Sequence, residues 1–155
     1  MKKMATEIKA AQNDVPGPYS CHCLVARQMA RQLTRSYDRR LRPAGISVGD
    51  FSILQFLSPG EGMTMADLGA SLFMERTTLV RNLRPLTAAG LVEVSRDPQE
   101  SRRHMVAITA TGRHKLSEAA ALWSQAQEEF EAAAGGAEAD EIRRRSLAAL
   151  GLMQD

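Results

Sequence analysis

The sequence predicts a mainly α-helical chain of about six helices with one small β-hairpin. Three observations predict it. Apolar residues recur at three- and four-residue spacing through most of the 155 residues. Strict alternation is confined to two short runs, residues 91–95 and 105–108, on either side of a polar turn. Breakers fall between these segments, at Pro43, Gly45, Pro59-Gly60-Glu61-Gly62, Gly90 and Gly135-Gly136. Aromatic residues are scarce, and Ala, Leu and Arg dominate, a composition that favours helix.

In chain order, residues 1–19 read as a flexible arm, polar and closed by Pro16-Gly17-Pro18, without the apolar centre of a secretory signal. Ser20 is placed to cap a long helix reaching about Arg42, with Ala26, Ala30, Leu33, Tyr37 and Leu41 at helical spacing. Arg27, Arg31, Arg35 and Arg39 form a stripe on another side, either a solvated face or one that meets a ligand or phosphate. A helix this long ahead of any compact unit needs something to pack on, and a second chain would serve.

Ser47 then caps a second helix through Leu57, with Phe51, Leu54 and Leu57 inward. Thr64, with Asp67 three residues on, starts a third helix whose Leu68 and Leu72 face the core. After a turn at Phe73-Met74 comes a fourth. Its Leu79, Leu83 and Leu86 recur at i, i+4 and i+7, whereas Arg76, Thr77, Arg81 and Arg84 point elsewhere. Pro85 predicts a kink that leaves the first two turns straight, and Gly90 supplies the left-handed residue that ends the helix.

The two alternating runs form a hairpin with a charged tip at Asp97-Pro98, too small to stand alone, so it must lean on the helices. Thr109 or Thr111 caps a fifth helix to about Ala134, with Leu116, Ala120, Trp123, Ala126 and Phe130 on one face. A last helix runs from about Glu138 to Leu152, with Ile142, Leu147, Leu150 and Met153 as its apolar positions. Neither terminal segment has a local partner large enough for its apolar face. The expected organisation is therefore a dimerisation helix in residues 20–47, a compact unit in 48–109 and further dimerisation helices in 110–155.

Charge and motif content narrow the function. A net charge of +2 gives little bulk attraction to a polyanion, but the basic residues are unevenly placed. Residues 21–47 hold six arginines against one acid, Asp38, while residues 110–155 hold eight acids against five bases. No apolar run reaches the length of a membrane span, so no membrane partner and a cytoplasmic location are expected. Two cysteines one residue apart make no secreted disulfide framework. Cys21-His22-Cys23 would need further metal ligands, with only His104 and His114 left among the histidines, so no metal site is expected. Neither a glycine-rich phosphate loop nor a paired-carboxylate motif is present, which argues against an enzyme and against a bound cofactor.

Helix, turn, helix, then hairpin is the order of a winged helix-turn-helix. In that order, YDRRLRPAGIS, MADLGASLFMERTTLVRNLRPLTAAGLV, DPQESRRHMVAIT and TATGRHKL together resemble the MarR family of bacterial transcriptional regulators, from about residue 20 onward. The resemblance implies a winged helix-turn-helix with a helical dimerisation layer, a homodimer on double-stranded DNA, and a small anionic or phenolic effector. Arg76, Thr77, Thr78, Arg81 and Asn82 would then meet the major groove, since arginine grips guanine at two acceptors and threonine touches a thymine methyl or a phosphate. Helix capping and simple exposure are the plainer account of the two threonines. Thr64, at a helix start, is a candidate phosphate contact.

In the wing, the resemblance gives Arg102 the minor groove and puts Glu100 where an Asp usually steadies that arginine, with Arg103 on a phosphate. The effector pocket would draw on Arg27, Arg31 or Trp123, with nothing in the spacing to choose among them. Cys21 and Cys23 sit at a helix start, where partial positive charge favours thiolate chemistry. Cys23 precedes Tyr37 by fourteen residues, a spacing similar to the organic-peroxide-sensing branch, although Val48 stands where that branch has another tyrosine. Thiol-based redox sensing and simple packing of the thiols both remain open. So does a winged helix used as a protein-interaction module, against which the exposed arginines and threonines of the fourth helix argue.

Overall fold

The computed structural model describes residues 17–96, 100 and 103–152. Residues 1–16 of the expected arm, the Asp97-Pro98 turn, Arg102 and Met153 lie outside the described residues. The chain divides after Ser36 into two units.

In the first unit, a 3-10 turn, Pro18–Ser20, leads into helix α1, His22–Leu41, whose last turns belong to the second unit. The expected cap at Ser20 is displaced. Proline fixes the backbone for the tight turn, and the Ser20 hydroxyl donates back to the Gly17 carbonyl at 2.6 Å. Cys21 is extended at φ −84°, ψ 108° and takes the capping place. Its sulfur accepts from the Leu24 amide at 3.4 Å and its carbonyl from the Val25 amide at 3.1 Å. Leu24, Met29 and Leu33 are half-buried, while Ala26 and Ala30 of the expected apolar face are exposed.

The second unit begins as α1 ends, with Tyr37 and Leu41 buried. Helix α2, Val48–Leu57, starts as expected at Ser47, which forms a full capping box with Asp50. The Val48 amide donates to Asp38 Oδ1 at 2.8 Å, so the lone acid of the basic stretch fixes the start of the next helix. A short strand β1, Met63–Thr64, precedes α3, Met65–Ser71, and α4, Arg76–Ala88. Strands β2, Val92–Arg96, and β3, His104–Ile108, follow, then α5, Ala110–Ala134, and α6, Gly136–Leu152. Among the described residues, no helix is long and apolar enough to cross a membrane.

The two-stranded hairpin of the sequence reading is in fact a three-stranded antiparallel sheet, in the order β1-β3-β2. Val92 pairs with Ile108 and Arg96 with His104, while Met63 and Thr64 add to the free edge of β3 opposite Val106 and Met105. A two-residue strand carries no period, so alternation could not reveal it. Its pairing supplies the third strand that an isolated hairpin lacks.

The core joins Phe51, Ile53, Leu54 and Leu57 of α2, Leu68 of α3, Leu79, Leu83 and Leu86 of α4, and Val92, Val106 and Ile108 of the sheet. Each fully buried Leu or Ile contributes about 1.5–3 kcal/mol of hydrophobic stabilisation. On α5 the buried positions are Gly112, Ala119 and Ala126, seven apart, so Ala119 takes the place assigned to Ala120, which is exposed. Trp123 is half-buried and stacks on Phe51, with ring centroids 5.6 Å apart and planes 11° from parallel. Arg113 Nη1 donates to the Ser58 carbonyl at 2.7 Å, which ties α5 to the turn ahead of β1.

The first turn of α5 packs tightly on the segment that follows α4. Thr109, the cap of α5, accepts from the Gly112 amide at 3.0 Å, and its hydroxyl donates to the Gly90 carbonyl at 2.6 Å. Its own amide donates to the Leu91 carbonyl at 3.1 Å. A Cβ at Gly112 would stand 2.1 Å from the Leu91 oxygen and 2.8 Å from Ile108 Cγ1, so only glycine fits. Gly112→Ala must push α5 from the end of α4 and is expected to cost about 2 kcal/mol or more of folding stability, measured as a shift of the urea unfolding midpoint.

Candidate nucleic-acid interface

Helix α4 supplies the surface. Leu79, Leu83 and Leu86 are buried, which fixes the roll of the helix and turns Arg76, Thr77, Arg81 and Arg84 outward, where they are exposed. Thr78 is half-buried. So is Asn82, whose amide donates to Met74 Sδ at 3.5 Å. Between Arg76 and Ala88 there are three arginines and no carboxylate, so the outer side of α4 is uniformly positive. The helix carries Pro85 inside its last turns and continues to Ala88.

The turn before α4 determines how the helix is presented. Helix α3 ends with the Phe73 amide donating to the Ala70 carbonyl at 3.1 Å and the Met74 amide to the Gly69 carbonyl at 2.9 Å. These bonds complete a Schellman closure. The same closure ends α4, where Gly90 at φ +66° and Leu91 donate to Thr87 and Leu86. At the first site, however, the left-handed residue is Phe73, at φ +52° and 57% exposed. A side chain in that conformation costs about 1–2 kcal/mol, and Phe73 buries too little of its ring to recover much of it. The sequence hid this cost, because the turn carries no glycine to mark it.

Thr64 caps α3 as expected, but its hydroxyl is committed on both sides to Asp67. It accepts from the Asp67 amide at 3.0 Å and donates to Oδ2 at 2.7 Å. In the wing, Glu100 meets Arg103 at 3.0 Å, and the Arg103 amide donates to the Glu100 carbonyl at 2.8 Å. Both side chains are exposed. Glu100 was assigned to brace Arg102, which lies outside the described residues; the neighbour it holds among them is Arg103.

Away from this surface, Cys21 and Cys23 are free and exposed, and Arg27 and Arg31 are exposed on α1. Tyr37 follows Cys23 by fourteen residues of that helix, about four turns, and donates its hydroxyl proton to Gln127 Oε1. Burial, then the nearby Glu131 carboxylate, pushes its phenol above the usual range. Arg40 pairs with Glu129 beside it. No cluster of three or more metal-ligating side chains occurs among the described residues.

Comparison with known proteins fits this geometry. A model of the MarR family matches residues 44–103, which span α2, β1, α3, α4 and β2 and end just before β3. The M. tuberculosis transcriptional regulator MosR, solved in complex with DNA, is 39% identical with a TM-score of 0.75, over 85% of this chain and 94% of that one. The chain belongs to the MarR family. The family's winged helix-turn-helix regulators account for the fold, and none of the similar proteins named here is an enzyme. The PcaV regulator of Streptomyces coelicolor, solved with its natural ligand, shares the fold at 20% identity and a TM-score of 0.74, over 88% of this chain and 99% of that one. The HTH-type regulator TtmR of Methylorubrum extorquens is 28% identical over 91 residues, 59% of this chain. The match spans 47% of TtmR, about half of that relative.

Removing the side chain from the left-handed turn tests how it is held. Phe73→Gly is expected to stabilise the fold by about 1 kcal/mol, whereas Phe73→Ala keeps the backbone cost and gains nothing, as compared by thermal unfolding.

Proposed function

We propose that the chain is a dimeric, sequence-specific DNA-binding transcriptional regulator, acting as a repressor that leaves a pseudo-palindromic operator when a small anionic or phenolic effector binds. One observation carries the reading: Arg76, Thr77, Arg81 and Arg84 stand exposed on a helix whose other side is locked into the core by three buried leucines. In this reading, Arg76, Thr77, Thr78, Arg81 and Asn82 face the major groove, arginine toward guanine and threonine toward a thymine methyl or a phosphate. Arg102 enters the minor groove and Arg103 neutralises a phosphate, leaving Glu100 to do so. A phosphate at Thr64 would have to displace the Asp67 carboxylate.

One winged unit covers few base pairs, so specificity calls for a two-fold pair with reading helices about 34 Å apart. Residues 20–47 and 110–155 are the proposed dimerisation layer. The effector, with Arg27, Arg31 or Trp123 as candidate contacts, would favour a dimer whose reading helices no longer fit successive grooves. The ligand complex of PcaV and the DNA complex of MosR support the two halves of the reading.

A gel shift with duplexes selected from a random pool, titrated with aromatic carboxylates, tests it directly. Arg81→Ala is expected to cost about 1–3 kcal/mol on the selected duplex, with little change on random DNA. Arg103→Ala should instead weaken binding to every duplex and reduce the salt slope by about one. If neither substitution alters binding at low salt, the reading surface has been misassigned.

A second reading is favoured by the cap at Cys21. An inter-residue bond between Cys21 and Cys23 looks blocked if both lie within a helix, where residues two apart point to opposite sides. Cys21 instead sits outside α1 in extended backbone, and both thiols are exposed. A thiol switch would oxidise the two thiols to a disulfide while a peroxide is reduced to water or alcohol. Mass spectrometry after mild peroxide should find the chain lighter by two hydrogens, together with weakened operator binding; unmodified thiols and unchanged binding would remove the idea.

A further inference from the structure

Helix α4 carries one large exposed hydrophobic side chain, Val80, 49% exposed in the midst of its polar side. Arg76 stands one turn before it and Arg84 one turn after, both exposed. On its flank toward β2, Val80 lines an open apolar groove of about 470 Å³ with Met65, Leu83 and Val94, edged by Arg84 and Thr87. Val94 is itself 40% exposed.

We infer that Val80 reads the 5-methyl group of a thymine in each half of the operator, with Arg76 and Arg84 holding the duplex on either side. The inference rests on the DNA-reading function proposed above. A valine offers neither charge nor hydrogen bond, so on a surface set against a polyanion its two methyl groups gain only where they meet another apolar group. On the base edges of the major groove that group is the thymine methyl, which no other base carries. The burial of Leu79 and Leu83 on either side in sequence fixes the roll of the helix and keeps Val80 from turning into the core. Arg84 brings attraction without base preference where it meets phosphate, and Arg76 addresses guanine, so neither marks the thymine methyl that Val80 would read.

Replacing thymine by uracil removes only this methyl. Duplexes selected from a random pool by the full-length wild-type chain would be remade with uracil at one symmetrical pair of thymines at a time, and affinities measured at fixed salt for wild type, Val80→Ala and Val80→Ile. At one position the wild type should lose about four-fold per half-site, the worth of one methyl. Val80→Ala should bind the thymine and uracil duplexes alike there, and Val80→Ile should keep the preference. Alanine is a better helix former than valine and the site is half exposed, so folding of the variant is secure; matched unfolding curves check it. The inference is overturned if uracil is tolerated at every position, or if Val80→Ala keeps the full thymine preference. Failure to enrich any specific duplex would instead bring down the DNA-reading function itself, and this inference with it.

Discussion

The contact on which the rest depends is the approach of α5 to the end of α4 at Gly112. Because no side chain separates Gly112 from the Leu91 carbonyl, the first turn of α5 lies directly on the segment that joins α4 to β2. Thr109 then bonds the Gly90 carbonyl with its hydroxyl and the Leu91 carbonyl with its amide. Four elements share this junction: α4 ends there, β2 starts there, and β3 passes into α5 there. A displacement of α5 would therefore act on α4 and β2 together.

Local chemistry made much of the fold legible. Ser47, Thr64 and Thr109 are side-chain caps whose acceptors lie within three residues of the amides they satisfy, so the sequence alone placed the starts of α2 and α3 and narrowed that of α5 to Thr109 or Thr111. Gly90 marked the end of α4 for the same reason. The hydrophobic period of α4 gave its buried leucines correctly, and with them the outward direction of Arg76 and Arg81. What was hidden depends on partners distant in sequence or on backbone states that residue type does not announce. Strand β1 forms only because β3 has a free edge, Asp38 acts on an amide ten residues on, and Arg113 reaches back to Ser58. Cys21 replaced Ser20 as a cap because the turn begun by Pro18 claimed the serine first.

Within the candidate interface, the polar residues were visible and the apolar one was not. An apolar residue in a helix reads by default as core, yet Val80 falls between Leu79 and Leu83 without sharing their burial. Only the three-dimensional placement separates it from them. Exposure, rather than residue type, is what distinguishes a packing methyl from one free to meet a ligand.

The stacking of Trp123 on Phe51 has a spectroscopic consequence. The chain has a single tryptophan, and that indole lies at the junction of α2 and α5, so excitation at the red edge, where the two tyrosines do not absorb, isolates its emission. That fluorescence therefore reports one joint: the one between the helix that carries the winged unit's core and the helix that packs on the segment after α4. A loosening of that joint too small to unfold the chain would still change the ring's surroundings, so the molecule carries its own optical gauge of the motion that regulation would use.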